Sequence, residues 1–203
     1  MKAQHLLPAF FLLSACFVGE LPPDMDNRIQ FYYDGEDSVQ LTLIPGKYFL
    51  LVERGIDSEE LAEALFLPPS QISPIQASSV SGVEAVHDFH WTSASGAGPE
   101  ADWDHEHLLY RAPYFFAEGG TELGLTHLFT VTLKAENDLA KLEELADEYQ
   151  VELVDKSRDQ PLECWLRCTA TTEGNALEIS RVFHESGYFT GSRPKFMDQN
   201  QLF

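Results

Sequence analysis

Two groups of residues have types and spacing that could do chemistry. The first is histidine-rich: His87-Asp-Phe-His90, then Asp102-Trp-Asp104-His105-Glu106-His107. Neutral imidazoles and carboxylates are zinc ligands, and His105 and His107 point to one side of an extended segment. The helical pair His-Glu-x-x-His is absent, and histidines beside acids in a loop are ordinarily just solvated. His87, His90, His105 and His107 therefore stand only as a secondary metal set. The expectation is no metal and no cofactor. The second group is Cys164 and Cys168 in "LECWLRCTA", which alternates like a strand. Four strand residues separate Cα atoms by roughly 13 Å, whereas a disulfide needs less than about 7 Å. The two thiols share a face with Leu162 and Leu166 and read as small buried hydrophobes. No nucleophile–base pair and no phosphate loop is visible, so the expectation is a non-enzyme.

Charge narrows the partners. Thirteen Lys and Arg against thirty-three Asp and Glu leave a net charge of −20 over 203 residues. Such a chain repels phosphate backbones, which excludes nucleic acid and favours cationic partners. At 44% hydrophobic it has ample material for a core.

The first residues read as an address. "MKAQHLLPAFFLLSAC" has a basic start, an apolar run and small residues before Cys16, the pattern of a secretory signal over 1–15. Leu13-Ser14-Ala15-Cys16 resembles the lipobox of bacterial lipoproteins, in which the cysteine becomes the lipidated N-terminus. That resemblance implies a lipid anchor on Cys16, a place in the bacterial cell envelope and no other membrane segment. Residues 16–27, with two prolines and scattered acids, read as a tether.

The elements that must position these groups follow from periodicity. In residues 28–125 the expectation is a β-rich α+β subdomain. Ile29–Tyr33 and Val39–Leu43 are strands around Asp34-Gly35, Pro45-Gly46 turns the chain, and Tyr48–Val52 is a central strand. Asp57 and Glu60 open a short helix carrying Leu61, Ala64 and Leu65 inward. Val83–Trp91 is a further strand and residues 92–104 a flexible excursion. His107–Ala112 leads into a hairpin at Gly119-Gly120. From 126 the order is strand, helix capped by Asn137, strand, strand, helix boxed by Asn175 and Glu178 and closed by Gly187, strand. The fold class is α+β, with a ferredoxin-like split β-α-β-β-α-β over 126–196. The C-terminal unit is bounded at 126–197 and a tail at 198–203.

"THLFTVTLKAENDLAKLEELADEYQVELVD", "PLECWLRCT" and "GNALEISRVFHESGYF" resemble the N-terminal propeptide-like region of subtilisin-like serine proteases from Bacteroides-type bacteria. "FYYDGEDSVQLTLIPGKYFLLVE" resembles the start of the same region. The resemblance implies a ferredoxin-like propeptide that templates and then inhibits a subtilisin-like serine protease. Its sheet would pack on the protease and its C-terminal tail would lie in the cleft like a product. The chain has neither the His-Gly-Thr nor the Gly-Thr-Ser context of the family's triad, and 203 residues leave no room for a protease domain beside this region. Three readings stay open: a stand-alone inhibitor or folding chaperone, a truncated relic, and a scaffold reused for surface binding of a glycan or protein. For the inhibitor, the expected partner contacts are Trp165, on the strand face opposite the cysteines, and Phe196, Met197, Leu202 and Phe203 in the tail.

Overall fold

The computed structural model describes residues 29–78, 89–98 and 101–198, and the backbone of 201–202. The chain is α+β, with every described strand pair antiparallel. The strands are β1 (Ile29–Asp34), β2 (Asp37–Val52), β3 (Gln76–Ser78), β4 (Phe89–Ser95), β5 (Leu108–Phe116), β6 (Glu122–Thr132), β7 (Val151–Lys156), β8 (Glu163–Cys168), β9 (Gly191–Asp198) and β10 (Gln201–Leu202). The helices are α1 (Ser58–Ala64), α2 (Leu139–Glu148) and α3 (Ala176–Glu185). No helix among the described residues is long and apolar enough to cross a membrane.

In the second half both helices form where their apolar stripes and caps lie. Leu142, Leu145 and Ala146 give α2 a buried stripe, and Ala176, Leu177, Ile179 and Phe183 do the same for α3. Asn175 Oδ1 accepts from the Leu177 and Glu178 amides, and Glu178 Oε2 accepts from the Asn175 amide at 3.1 Å, closing the capping box. Gly187 sits left-handed at φ +70° just after α3. The four strands run in the spatial order β7-β8-β6-β9. α3 lies over β6 and β9, and α2 over β7. Cys164, Leu166 and Cys168 are buried with Phe129 and Val131 in this core, and both thiols are free.

The first half repeats this path. β2, α1, β3, β4 and β5 give the order β3-β4-β2-β5. Position by position it is the order of β7-β8-β6-β9: the first strand lies between the third and the last, and the second is at the edge. Each unit is entered through a hairpin, β1–β2 or β5–β6. Each first strand has an irregularity against its last strand, between Ile44 and Tyr48 in β2 and between Leu125 and Phe129 in β6. Each first helix is followed by a left-handed residue that is not glycine, Phe66 at φ 55° and Gln150 at φ 54°. One difference is large. The stretch between β4 and β5, where the second unit has α3, contains no helix among its described residues.

Several expectations change here. Pro45-Gly46 does not reverse the chain. Gly46, at φ +65°, lies in the irregularity of one continuous strand. Residues 92–95 are strand, buried as far as Ala94, not an excursion. Thr92 Oγ1 donates to Ser73 O at 2.6 Å and the Ser73 and Ser93 hydroxyls meet at 2.9 Å, so small polar side chains enter the interior with partners. Asn137 lies in a 3₁₀ turn, and Asp138 Oδ2 instead accepts from the Ala135 amide. Ala62 rather than Ala64 is buried on α1. β6 starts at Glu122 and crosses the expected boundary at 125/126.

Two cores result. Leu50, Val52, Ala94, Leu61, Ala62 and Leu65 fill the small one between the first sheet and α1. Phe49, Leu51, Trp91, Tyr110 and Ala112 leave the opposite face of that sheet and join the core of the second unit. At the seam, Tyr110 Oη donates to Thr126 O and accepts from the Ala176 amide, both at 3.2 Å.

Candidate functional site

The residues expected to carry function are dispersed. Cys16, His87 and Phe203 lie outside the described residues. His90 is in β4, paired with Val52. His105 and His107 sit just before β5 with ring centroids 5.0 Å apart. His107 Nδ1 is 2.9 Å from Glu53 Oε2, and that hydrogen bond raises its pKa above the ordinary histidine value. Among the described residues no group of three or more His, Cys, Asp or Glu side chains could hold a metal ion.

The loose inhibitory tail is corrected. Phe196 and Met197 are buried in β9, paired with Leu125 and Gly124. Tyr32 packs its ring 5.4 Å from that of Phe196. Gly124 is required here, because a Cβ would meet the Tyr114 ring at 2.6 Å. The backbone of Leu202 turns back and pairs with Met197. In this arrangement Phe196 and Met197 cannot enter another protein's cleft.

Trp165 does lie on the sheet face away from α2 and α3, opposite Thr130 and Asp155. It is only 8% exposed and belongs to the larger core. Its cross-strand neighbours Thr130 and Leu128 are buried with it, and the Lys195 ammonium lies 4.8 Å from its centroid. Arg193 pairs with Asp34 at 3.1 Å and Arg167 with Glu152 at 2.5 Å. The expected solvent-side anchor is thus a covered ring inside a charged face.

The feature that sequence reasoning missed is in the first unit, over β2 and β5. Arg111 lies against two adjoining rings, 4.6 Å from the Trp103 centroid and 5.6 Å from the Tyr48 centroid. Burial pulls its guanidinium below its ordinary pKa. Trp103 and Tyr48 pack 5.0 Å apart. The strand places Arg111 here because its neighbours Tyr110 and Ala112 turn to the larger core. The loop is tied to α1 by the Asp102 amide, which donates to Leu65 O at 3.1 Å. Two residues before Arg111, Leu109 is 44% exposed, and Phe66, next to Leu65, is 71% exposed. The available signals were a lone arginine inside the apolar run "LLYRAPYFF" and a lone tryptophan among acids.

Comparison with protein-family models, with curated proteins and with solved structures finds no match to this chain.

Proposed function

We propose that this chain is a non-catalytic binding protein of the bacterial cell envelope, anchored by lipid on Cys16, that grips a glycan or protein ligand with its first unit. One observation carries the reading. Where α3 covers β6 and β9, the corresponding ground over β2 and β5 holds Tyr48, Trp103 and Arg111 instead of a helix. Aromatic rings stiffened by a guanidinium suit recognition, since they offer contact area at low conformational cost. The second unit is then the scaffold, read as a ferredoxin-like split β-α-β-β-α-β on the strength of its strand order. The test is to titrate isotope-labelled protein with fractionated envelope polysaccharide and protein. Amide shifts should centre on Tyr48, Trp103, Leu109 and Arg111 and weaken at least tenfold in Trp103→Ala. Shifts elsewhere, or none with any fraction, contradict the reading. For the anchor, Cys16→Ser should abolish incorporation of labelled fatty acid; unchanged labelling rejects it.

A second reading, an inhibitor or chaperone of a subtilisin-like serine protease, is favoured by the same strand order and by the helix-free sheet face that bears Arg167, Arg193 and Lys195. With Phe196 and Met197 buried, it would work through the sheet face. Inhibition of a subtilisin-like protease that is lost in Arg193→Glu but kept without residues 199–203 supports it; no inhibition counts against it.

A further inference from the structure

Phe66 is a bulky residue in a conformation that glycine ordinarily takes. It occupies the position just after α1, where the Phe66 amide donates to Glu63 O at 3.1 Å and the Leu67 amide to Ala62 O at 2.8 Å. Both bonds are backbone bonds, so glycine would close the helix as well and without strain at φ 55°. The ring is not held in place by burial, being 71% exposed. A strained aromatic turned to water is a cost that packing does not offset. It adjoins Leu65, whose carbonyl receives the amide of Asp102, the residue before Trp103. Leu109, 44% exposed, lies two residues before Arg111 in β5, at the irregularity where the strand's pairing passes from Leu51 to Val52.

The surroundings define what could sit there. Asp104 and Glu106 are exposed in the loop, and Glu59, Glu60 and Glu63 are exposed along α1. His107, 2.9 Å from Glu53 Oε2, also feels the charges of Glu60 on α1 and Glu106 in the loop, so one helix acid and one loop acid face the same imidazole. An apolar centre within an anionic rim on a chain of net charge −20 complements a segment with apolar anchors and Lys or Arg flanks. It is a poor match for anionic lipid or acidic polysaccharide.

Resting on the binding reading above, we propose that the ligand of the first unit is a basic, amphipathic segment of a partner protein, seated on Phe66, Trp103 and Leu109. The apolar side chains fill the ground between α1 and the loop, and the flanking cations face the carboxylate rim.

The test uses the full chain and a designed helical peptide of Leu and Lys, with a Leu/Glu peptide of the same apolar face as its control. The Leu/Lys peptide should bind at least tenfold more tightly than Leu/Glu, weaken as salt rises, and shift the amides of residues 63–67 and 101–109. Phe66→Gly should lower that affinity at least fivefold while raising the melting temperature, a combination that a structural role for the ring does not give. Equal binding of both peptides, or full binding by Phe66→Gly, overturns the proposal. Stronger binding to phosphatidylglycerol vesicles or a neutral oligosaccharide at the same amides also overturns it, while leaving a binding face on the first unit. No shift at these amides with any probe would sink both.

Discussion

The two units trace one path and finish it differently. Both place the first strand between the third and the last, both enter through a hairpin, and both break the first strand's pairing with the last. The second unit covers its sheet with two helices, and its other face sets buried Leu128, Thr130 and Trp165 among Arg167, Arg193 and Lys195. The first unit has both faces of its sheet engaged, one by the second unit and one by α1 together with Ala97, Ala101 and Trp103. Where the described residues between β4 and β5 form no helix, they supply one aromatic ring and a row of acids. The difference separates a unit that stabilises from a unit that presents. Closing a sheet with an amphipathic helix buries apolar area efficiently, whereas a loop leaves rings at the surface where a partner can use them.

The largest test of this contrast is in the cores. Phe129→Ala empties the site against Phe183, whose ring lies 5.4 Å away, and should cost about 3–5 kcal/mol. Leu50→Ala, in the small core, should cost about 2–4 kcal/mol. Because the seam joins both units, fluorescence and circular dichroism should report one urea transition for each variant. Two separated transitions would make the units independent.

Acid tests the seam itself. His127 is buried against Phe89 and Tyr110, with ring centroids 5.4 and 6.0 Å away. Its Nδ1 has no hydrogen-bond partner, and burial, aided by the Arg167 charge, lowers its pKa to about 3. The unfolded chain therefore takes this proton first as pH falls below 6.5, and the folded chain only near 3. Stability is complete above the unfolded value and falls by roughly 1.4 kcal/mol per pH unit below it. His127→Phe should flatten that slope in urea titrations from pH 7 to 4; an unchanged slope places the effect elsewhere. His107 runs the other way. Its raised pKa gives stability that is present below 6.5 and lost as pH rises through the raised value, so His107→Ala should remove a small loss near neutrality.

The caps compare the units directly. Asp57→Ala and Asn175→Ala each remove a side chain that accepts two helix amides, and each should cost about 1 kcal/mol by urea denaturation. A much smaller loss for Asp57 would mean that α1 is held by packing alone. An effect of similar size has the opposite sign. Phe66→Gly should gain about 1 kcal/mol in the same assay, by relieving a left-handed residue.

The second half was legible because each element carries its own signal. Asn175 and Glu178 announce α3, Gly187 ends it, and the stripe of α2 appears at helical spacing. The first half was not, for three physical reasons. Pro45-Gly46 has the chemistry of a turn, yet tertiary pairing runs β2 straight through it. "TSAS" looks solvated, but Ser73 supplies the partners that let Thr92 and Ser93 enter the interior. Phe196, Met197 and Trp165 are buried beside Tyr32, Gly124 and Thr130, which are remote or uninformative in sequence. The candidate site was hidden for a related reason. Tyr48, Trp103 and Arg111 come from three separate segments, and only the pairing of β2 with β5 brings them together.

The most direct measurement is an amide shift map of the full chain with the Leu/Lys peptide, read on both units at once. The account predicts changes at Phe66 and from 101 to 109, with Trp165, Arg167, Arg193 and Lys195 unmoved. Changes centred on those last four residues, with Phe66 and Trp103 silent, would contradict it and return the binding face to the second sheet.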